Sequence, residues 1–377
     1  MASFADACIG QTLSGRYRLA GHIGDGYFSH VFKASDQQTG TLAAVKMLAP
    51  SATSDPGAVM EFDEEGMLLE KSEKARNVVS LIESGQSDLF IDIGGSPTRM
   101  RVRFHVLELG NGSLDELLPY RHELSWRTKM LLFRDVVSGI HQMHGRRIMH
   151  RDIKSSNVLL FDAKKTILTL MSGSGVLPAS DVTLTNAKEP VATAKISDLG
   201  RSRNLDRSPR FSPSGYTSGR GDHSYAPPEL LWNLASGNDL AALRRSDIYL
   251  LGSVLYEIAT GLGITAVTLP DWQFHLEATA AMEKEDREAS FRAAARYMRE
   301  RYESALGELE DEVPPQIRQH VVGLVRQMCS PVPAFRERRR RAEQNSPMWG
   351  LQWVFRRVDI IIKTLDRTAY ERRRVNI

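Results

Sequence analysis

The sequence predicts an α+β chain in two core-bearing parts, the first rich in strands with one helix, the second mainly helical. Three observations lead there. The chain has 377 residues, enough to bury two cores. Its early part carries short apolar runs broken by Gly-bearing turns, so that Tyr17–Ile23, Val31–Ala34 and Leu42–Leu48 read as strands. Farther on the apolar period lengthens, and Leu131, Leu132, Val136, Ile140 and Met143 put a helix over Leu124–Met143.

Composition narrows the class. The chain is 42% hydrophobic and 25% charged, the balance of a soluble globular protein. A formal net charge of +3 gives no pointer to nucleic acid. Cys8 and Cys329 lie too far apart for a disulfide framework or a metal knuckle, and reduced thiols in a reducing, cytoplasmic compartment are expected. Met1–Gly15 lacks the basic start and apolar centre of a secretory signal. No run of about 18 apolar residues offers a membrane span, and no internal repeat is visible.

In chain order, the first turn is Ile23-Gly24-Asp25-Gly26-Tyr27-Phe28-Ser29-His30-Val31. Two glycines let backbone N–H groups approach a phosphate, and they serve a plain hairpin equally well. Leu42–Leu48 carries Lys46 in an apolar run, where an ammonium must be paired or must snorkel to water. Ala58–Lys71 is acidic and helix-prone and leads toward a strand at Asn77-Val78-Val79. Phe104–Gly110 reads as a strand entering a hinge, and Asn111–Asp115 as the opening of a helix with Asn111 or Ser113 as its cap.

Beyond the 124–143 helix, His150-Arg151-Asp152-Ile153-Lys154-Ser155-Ser156-Asn157 precedes the apolar strand Val158-Leu159-Leu160. An Asp followed at this distance by an Asn suits phosphoryl transfer. The Asp accepts the proton of an attacking hydroxyl, the Asn holds Mg²⁺ on the nucleotide, and a Lys between them neutralises the moving phosphate.

Ala194–Ser197 reads as a short strand before Asp198-Leu199-Gly200. Asn157 and Asp198 stand 41 positions apart, which leaves an insertion over about 162–191. In it Leu168–Met171 and Val182–Thr185 alternate like strand residues around a turn-like Ser172–Gly175, so an extra hairpin or loop is expected. Gly200–Pro227 is polar and holds Ser202, Ser208, Ser212, Ser214, Thr217, Ser218 and Ser224, ahead of Tyr225-Ala226-Pro227-Pro228-Glu229. Ser246–Tyr256 is apolar on nearly every face, a buried helix with Asp247 as its cap. Leu262–Glu312 is helical and charged, and Pro314–Met328 is an amphipathic helix. Arg336–Arg341 holds five arginines and one glutamate, read as a solvated linker or as a patch for acidic partners or nucleic acid. Leu351, Val354, Phe355, Val358, Ile361, Ile362 and Leu365 form one helical stripe, expected to pack on the helical part.

In this order the motifs resemble those of the eukaryotic-type (Hanks-type) serine/threonine protein kinases, in a form similar to prokaryotic members, over about 17–336. The resemblance implies a two-lobed protein-kinase-like fold. Its N-lobe, 16–109, would be an antiparallel sheet plus one helix, and its C-lobe, 110–371, mainly helical, with ATP between them. Residues 1–15 would be an extension and 372–377 a basic tail. Asp152 would be the catalytic base, Lys154 the phosphate stabiliser, and Asn157 and Asp198 the Mg²⁺ ligands. Lys46 would touch the α- and β-phosphates, held by Glu65, with Glu61 and Glu64 as rivals for that place. Ile23, Gly24, Gly26, Val31, Ala44 and Leu159 would line the nucleotide. Leu107 would stand beside the adenine, whose edge the backbone of Glu108 and Gly110 would bind. Asp247 would hydrogen-bond the catalytic-loop backbone, Arg336 would pair with Glu229, and Arg151 would face a phosphate added within 201–224.

The resemblance implies an ATP- and Mg²⁺-dependent kinase acting on Ser and Thr of protein substrates and on itself, Lys154 pointing to these acceptors rather than to Tyr. The alternative is a pseudokinase scaffold, whose usual mark is loss of the Lys, the catalytic Asp or the metal Asp; all three are present. Small-molecule kinases of the aminoglycoside type resemble His-Gly-Asp in the loop and lack Pro-Pro-Glu. Three departures stand out: Ser29 for the third Gly of the turn, Leu199 for a Phe, and Asp222 where Thr is usual. Asp222 is expected within reach of Lys154.

Overall fold

The computed structural model describes residues 3–93, 96–172, 192–207, 222–234, 239–337 and 351–375. The chain divides into two units, Met1–Asn111 with Ser197–Arg201, and Gly112–Ile196 with Ser202–Ile377.

In the first unit, α1 (Phe4–Cys8) precedes the strands β1 (Thr12–Leu13), β2 (Tyr17–Asp25), β3 (Ser29–Asp36) and β4 (Leu42–Leu48), then α2 (Pro56–Lys71), β5 (Leu81–Ile93) and β6 (Ser96–Glu108). The strands pair antiparallel in the order β1-β2-β3-β4-β6-β5. Alternation decides which side chains go inward: Tyr17 and Leu19, Phe32 and Ala34, Val45 and Met47, and Phe104 and Val106 meet in one core. Each large apolar side chain buried there contributes about 1.5–3 kcal/mol. A Ser3/Asp6 capping box starts α1, which adds Ala5 and Cys8 to the same core. Asp55 caps α2 and Pro56 occupies its first position.

β2 and β3 run longer than their apolar residues suggested, because the Gly26 N–H bonds Ser29 O at 2.7 Å and closes a tight turn. Val78 and Val79 are buried, but the continuous strand starts only at Leu81. It forms a hairpin with β6, which itself begins at Ser96, well before Phe104.

In the second unit, β7 (Gly112–Ser113) leads to α3 (Trp126–Gly145), β8 (Ile148–Met149) and β9 (Val158–Phe161). Next come α4 (Lys165–Met171), β10 (Thr193–Ile196) and β11 (Arg203–Asn204). The described residues beyond β11 are mainly helical: α5 (Pro228–Leu231), α6 (Leu240–Thr260), α7 (Ile264–Thr268), α8 (Trp272–Ala280), α9 (Lys284–Glu312), α10 (Pro315–Met328) and α11 (Gln352–Val375). Small antiparallel sheets β10-β9-β7 and β11-β8 flank α3. The Ser125 hydroxyl caps α3 by accepting from Thr128 N at 3.1 Å. The predicted C-terminal stripe is real: Val354, Val358 and Ile361 of α11 are buried, and Arg127–Asp366 and Arg134–Asp359 ion pairs at 2.6 and 2.8 Å tie α11 to α3.

Three expectations fail here. Leu168–Met171 lies in α4 rather than in a strand: so short an alternation fits either period, and Ile167 and Leu170, three apart, are the buried pair. Residues 173–191, with the second expected strand, lie outside the described residues. Asn111 and Ser113 cap no helix; a 3₁₀ helix over Asp115–Tyr120 follows Leu114, and Ser113 bonds Glu116 instead. Asp247 is not a cap either. α6 begins earlier, at Leu240, and Asp239 caps it by accepting from the N–H groups of Ala241 and Ala242.

Candidate functional site

In the first unit the site grows from β4. Lys46 stands opposite Val31 of β3 and His105 of β6. Its ammonium donates to Glu65 Oε1 and Oε2 at 2.8 and 2.7 Å and to Asp198 Oδ1 at 2.9 Å. Of the three rival acids on α2, Glu65 is the one that meets Lys46. Burial works against the Lys46 charge, yet Asp198 and Glu65 outweigh it and hold the ammonium pKa above its ordinary value. Burial pushes the Glu65 carboxyl up while Lys46 pulls it down. The ammonium is the firmer charge because it faces two carboxylates.

α2 is held in place by His105. The imidazole stacks on Phe62 with ring centroids 4.1 Å apart, donates from Nε2 to Phe62 O at 2.9 Å and accepts at Nδ1 from the Ser84 hydroxyl at 2.7 Å. Burial lowers its pKa to about 4, so the ring is neutral. Gly66 lies against this ring: a Cβ there would come within 2.6 Å of His105 Cε1.

Asp198 has a left-handed backbone, φ 55, which Asp tolerates better than most residues and which marks functional turns. Gly26, Phe28, Ser29, Lys46, Glu65, Asp198 and Gly200 line a cavity of this unit. Ser29 tucks its hydroxyl against Gly26, where a Cβ would lie 2.6 Å from it. Gly24 pairs with Val31, and Ala44 is buried opposite Leu107. Ile23 is exposed, Gly110 is half-buried, and Glu108 accepts from Ser80 N at 2.8 Å.

In the second unit the loop 150–157 folds around Asp152. Asn157 Nδ2 donates to Asp152 O at 2.8 Å and to its carboxylate at 3.1 Å, and Lys154 Nζ lies 3.9 Å from the same carboxylate. Asp247, wholly buried in α6, accepts from the N–H groups of His150 and Arg151 at 2.9 and 2.7 Å and from His144 Nε2 at 2.8 Å. Burial opposes the Asp247 charge, but the bonds from His144 and the loop hold its pKa below the ordinary value. They also hold Arg151 in the left-handed region, φ 70. Leu159 on β9 lies between Lys195 and Ser113. Arg336, fully buried, makes the expected bidentate pair with Glu229 at 2.6 and 2.7 Å.

Two expectations are corrected. The Asp222 carboxylate does not reach Lys154; it accepts from the N–H and hydroxyl of Ser224, and Asp152 is the ion partner of Lys154. Two residues away along the chain is simply nearer than another loop, and Asp favours such local turns. Ser202 is buried and donates to His150 O at 3.4 Å, so it is a packing residue rather than a modifiable one. Ser208, Ser212, Ser214, Thr217 and Ser218 lie outside the described residues.

Several residues escaped the sequence. Glu257 of α6 accepts from the Ser155 hydroxyl at 2.9 Å and from the Tyr225 hydroxyl, and burial pushes its carboxyl up to about 7. His144 and His105 serve in the same positioning way. For Glu257 the available signal is a carboxylate within the mainly apolar run Ile248–Ala259; His144 and His105 carry none.

Comparison with known proteins adds to this. The family model described as "Protein kinase domain" matches residues 17–344. A serine/threonine-protein kinase PknA of Mycobacterium tuberculosis is 29% identical over 256 residues, 67% of this chain and 48% of the relative. The serine/threonine-protein kinase PrkC of Bacillus subtilis is 25% identical over 254 residues, 67% of this chain and 32% of the relative. A serine/threonine-protein kinase pkn3 of Myxococcus xanthus is 24% identical over 264 residues, 68% of this chain and 40% of the relative. The chain thus matches less than half the length of these curated relatives.

Proposed function

We propose that this chain, which belongs to the protein kinase family, transfers the γ-phosphate of ATP to Ser and Thr hydroxyls of protein substrates. The observation that supports this most is the loop in which Asn157 and Lys154 flank the Asp152 carboxylate at 3.1 and 3.9 Å. Asp152 accepts the proton of the attacking hydroxyl as the new P–O bond forms. Lys154 offsets the charge on the phosphoryl oxygens. Lys46, kept cationic and aimed by Glu65, binds the α- and β-phosphates, which the N–H groups around Gly24 and Gly26 also approach. Ile23, Val31, Ala44 and Leu159 give apolar surface to the adenine, and the backbone of Glu108 and Gly110 reads its edge. Mg²⁺, when bound, neutralises phosphate charge. The carboxylate of Asp198 and the amide oxygen of Asn157 are hard oxygen donors that suit it.

The family's relatives named above are serine/threonine kinases, and Lys154 in the loop agrees with those acceptors. We also assign autophosphorylation to the 201–224 segment, with Arg151 pairing the added phosphate. A non-catalytic scaffold would ordinarily lack Lys46, Asp152 or Asp198. The test is phosphate incorporation from labelled ATP by the purified chain. Asp152→Asn is expected to lower it by about 10²–10⁴-fold, and Asp198→Ala and Lys46→Ala to abolish most of it. Labelling that survives in all three variants overturns the assignment.

A further inference from the structure

Outside the residues used above, the β2–β3 hairpin carries His22, Asp25 and His30. Their ligand-type atoms all lie within 4.8 Å of one another, the one such group of His, Cys, Asp or Glu among the described residues. Asp25 Oδ1 receives His30 Nδ1 at 2.6 Å and His22 Nε2 at 3.0 Å. From this geometry we infer a binding site for a Zn²⁺-like transition cation, with His22, Asp25 and His30 as its three protein ligands.

The backbone explains the grouping. Residues three apart on a regular strand point to opposite faces, so His22 and Asp25 would diverge. The register shifts between His22 and Gly24, a bulge that restores the phase and turns both to one side. His30 sits directly opposite Asp25 in the register. The imidazoles are braced: His30 packs on Phe4 with centroids 5.5 Å apart, and His22 on Phe32 at 5.5 Å.

Chemistry fits a borderline cation. Two imidazole nitrogens and one carboxylate oxygen are a common set for Zn²⁺, with the fourth position left to water. Bonds of about 2.0–2.2 Å to a tetrahedral ion space its ligand atoms about 3.4 Å apart. The present spacings of 2.6 and 3.0 Å need only a slight opening to admit it. The side chains are 29%, 62% and 25% exposed for His22, Asp25 and His30, so an ion can enter from solvent. Cys8 of α1 is wholly buried and no competitor. A bound cation would tie β2 to β3 on either side of the Gly26 turn.

The test uses the full chain with Zn²⁺ alone, by isothermal titration calorimetry and by the cation's effect on the thermal midpoint. One Zn²⁺ per chain is expected, with a raised midpoint. His22→Ala, Asp25→Ala and His30→Gln should each weaken binding by at least about tenfold and remove the thermal effect. Asp25→Ala, at an exposed position, keeps the test decisive where a histidine variant misfolds. Failure of the parent chain to take up Zn²⁺, or equal uptake by parent and folded variants, overturns the proposal and leaves a carboxylate–imidazole hydrogen-bond cluster.

Discussion

Asp247 shows how much one buried carboxylate can organise. It accepts three hydrogen bonds, two from the backbone of His150 and Arg151 and one from His144. Asp247→Ala leaves those donors buried and unmatched, and the expected loss is about 3–5 kcal/mol with phosphoryl transfer falling alongside; urea unfolding and the labelling assay measure both. Arg336→Ala leaves Glu229 as a buried, unpaired charge, and a similar loss of about 3–5 kcal/mol is expected. Glu257 behaves oppositely because its carboxyl titrates near 7 in the fold against an ordinary 4.5. Between those values the unfolded chain has released a proton that the folded chain retains. Stability therefore falls as pH rises through that window and levels off above it, by on the order of 3 kcal/mol. Glu257→Gln keeps acceptors for Ser155 and Tyr225 but cannot titrate. Unfolding free energies of parent and variant, measured from pH 4.5 to 8, should diverge with the variant gaining at the alkaline end. Parallel curves would show that Glu257 is ionised throughout.

At the scale of elements, α2 depends on a contact with no room to spare. Its Gly66 faces the ring of His105, which is fixed by Ser84 and Phe62. Gly66→Ala forces the ring or the helix to move, an overpacking cost of about 1–3 kcal/mol. Because Glu65 is the next residue, the same shift should reduce phosphoryl transfer. Restored activity in a Gly66→Ala, His105→Ala double variant would identify the ring as the obstacle; an unchanged single variant would remove the contact from the account. Strong periodicity made much of the architecture legible. The β2, β3 and β4 segments are short apolar runs set off by Gly-bearing turns, α3 and α11 repeat their apolar residues at helical spacing, and the loop from His150 to Asn157 keeps a fixed spacing of chemical groups. Elements without such a signal went unread. β5 mixes Glu83, Gln86 and Asp88 into its run and shows itself only through pairing with β6. In α6 the charged Arg244-Arg245 pair separates the first turn, Leu240–Leu243, from the buried apolar run, so that run alone reads as the helix. Family position sets Asp222 beside Lys154, while its partner Ser224 is two residues along the chain.

For the whole molecule, the two units carry opposite titrations. His105 in the first has a pKa of about 4 against an ordinary 6.5. The unfolded chain takes up a proton first as pH falls, so that unit loses stability below about pH 6.5. Glu257 in the second unit gives stability back over much of the same range. Hydrogen exchange read by mass spectrometry at pH 7 and pH 5 should show β4–β6 losing protection on acidification while α6 and its neighbours gain. His105→Gln and Glu257→Gln should each flatten the response of their own unit alone; a common response of both units in both variants would contradict this. The first unit is also discontinuous, since Ser197–Arg201 returns to it after the chain has passed through Gly112–Ile196 of the second. This has a consequence for the order of synthesis. A ribosome completes all the strands of the sheet by Glu108, and Lys46 can find Glu65 at once. The third member of the cluster, Asp198, emerges only later, so the nascent N-terminal unit matures in two steps, a sheet first and the completed Lys46–Glu65–Asp198 cluster afterwards.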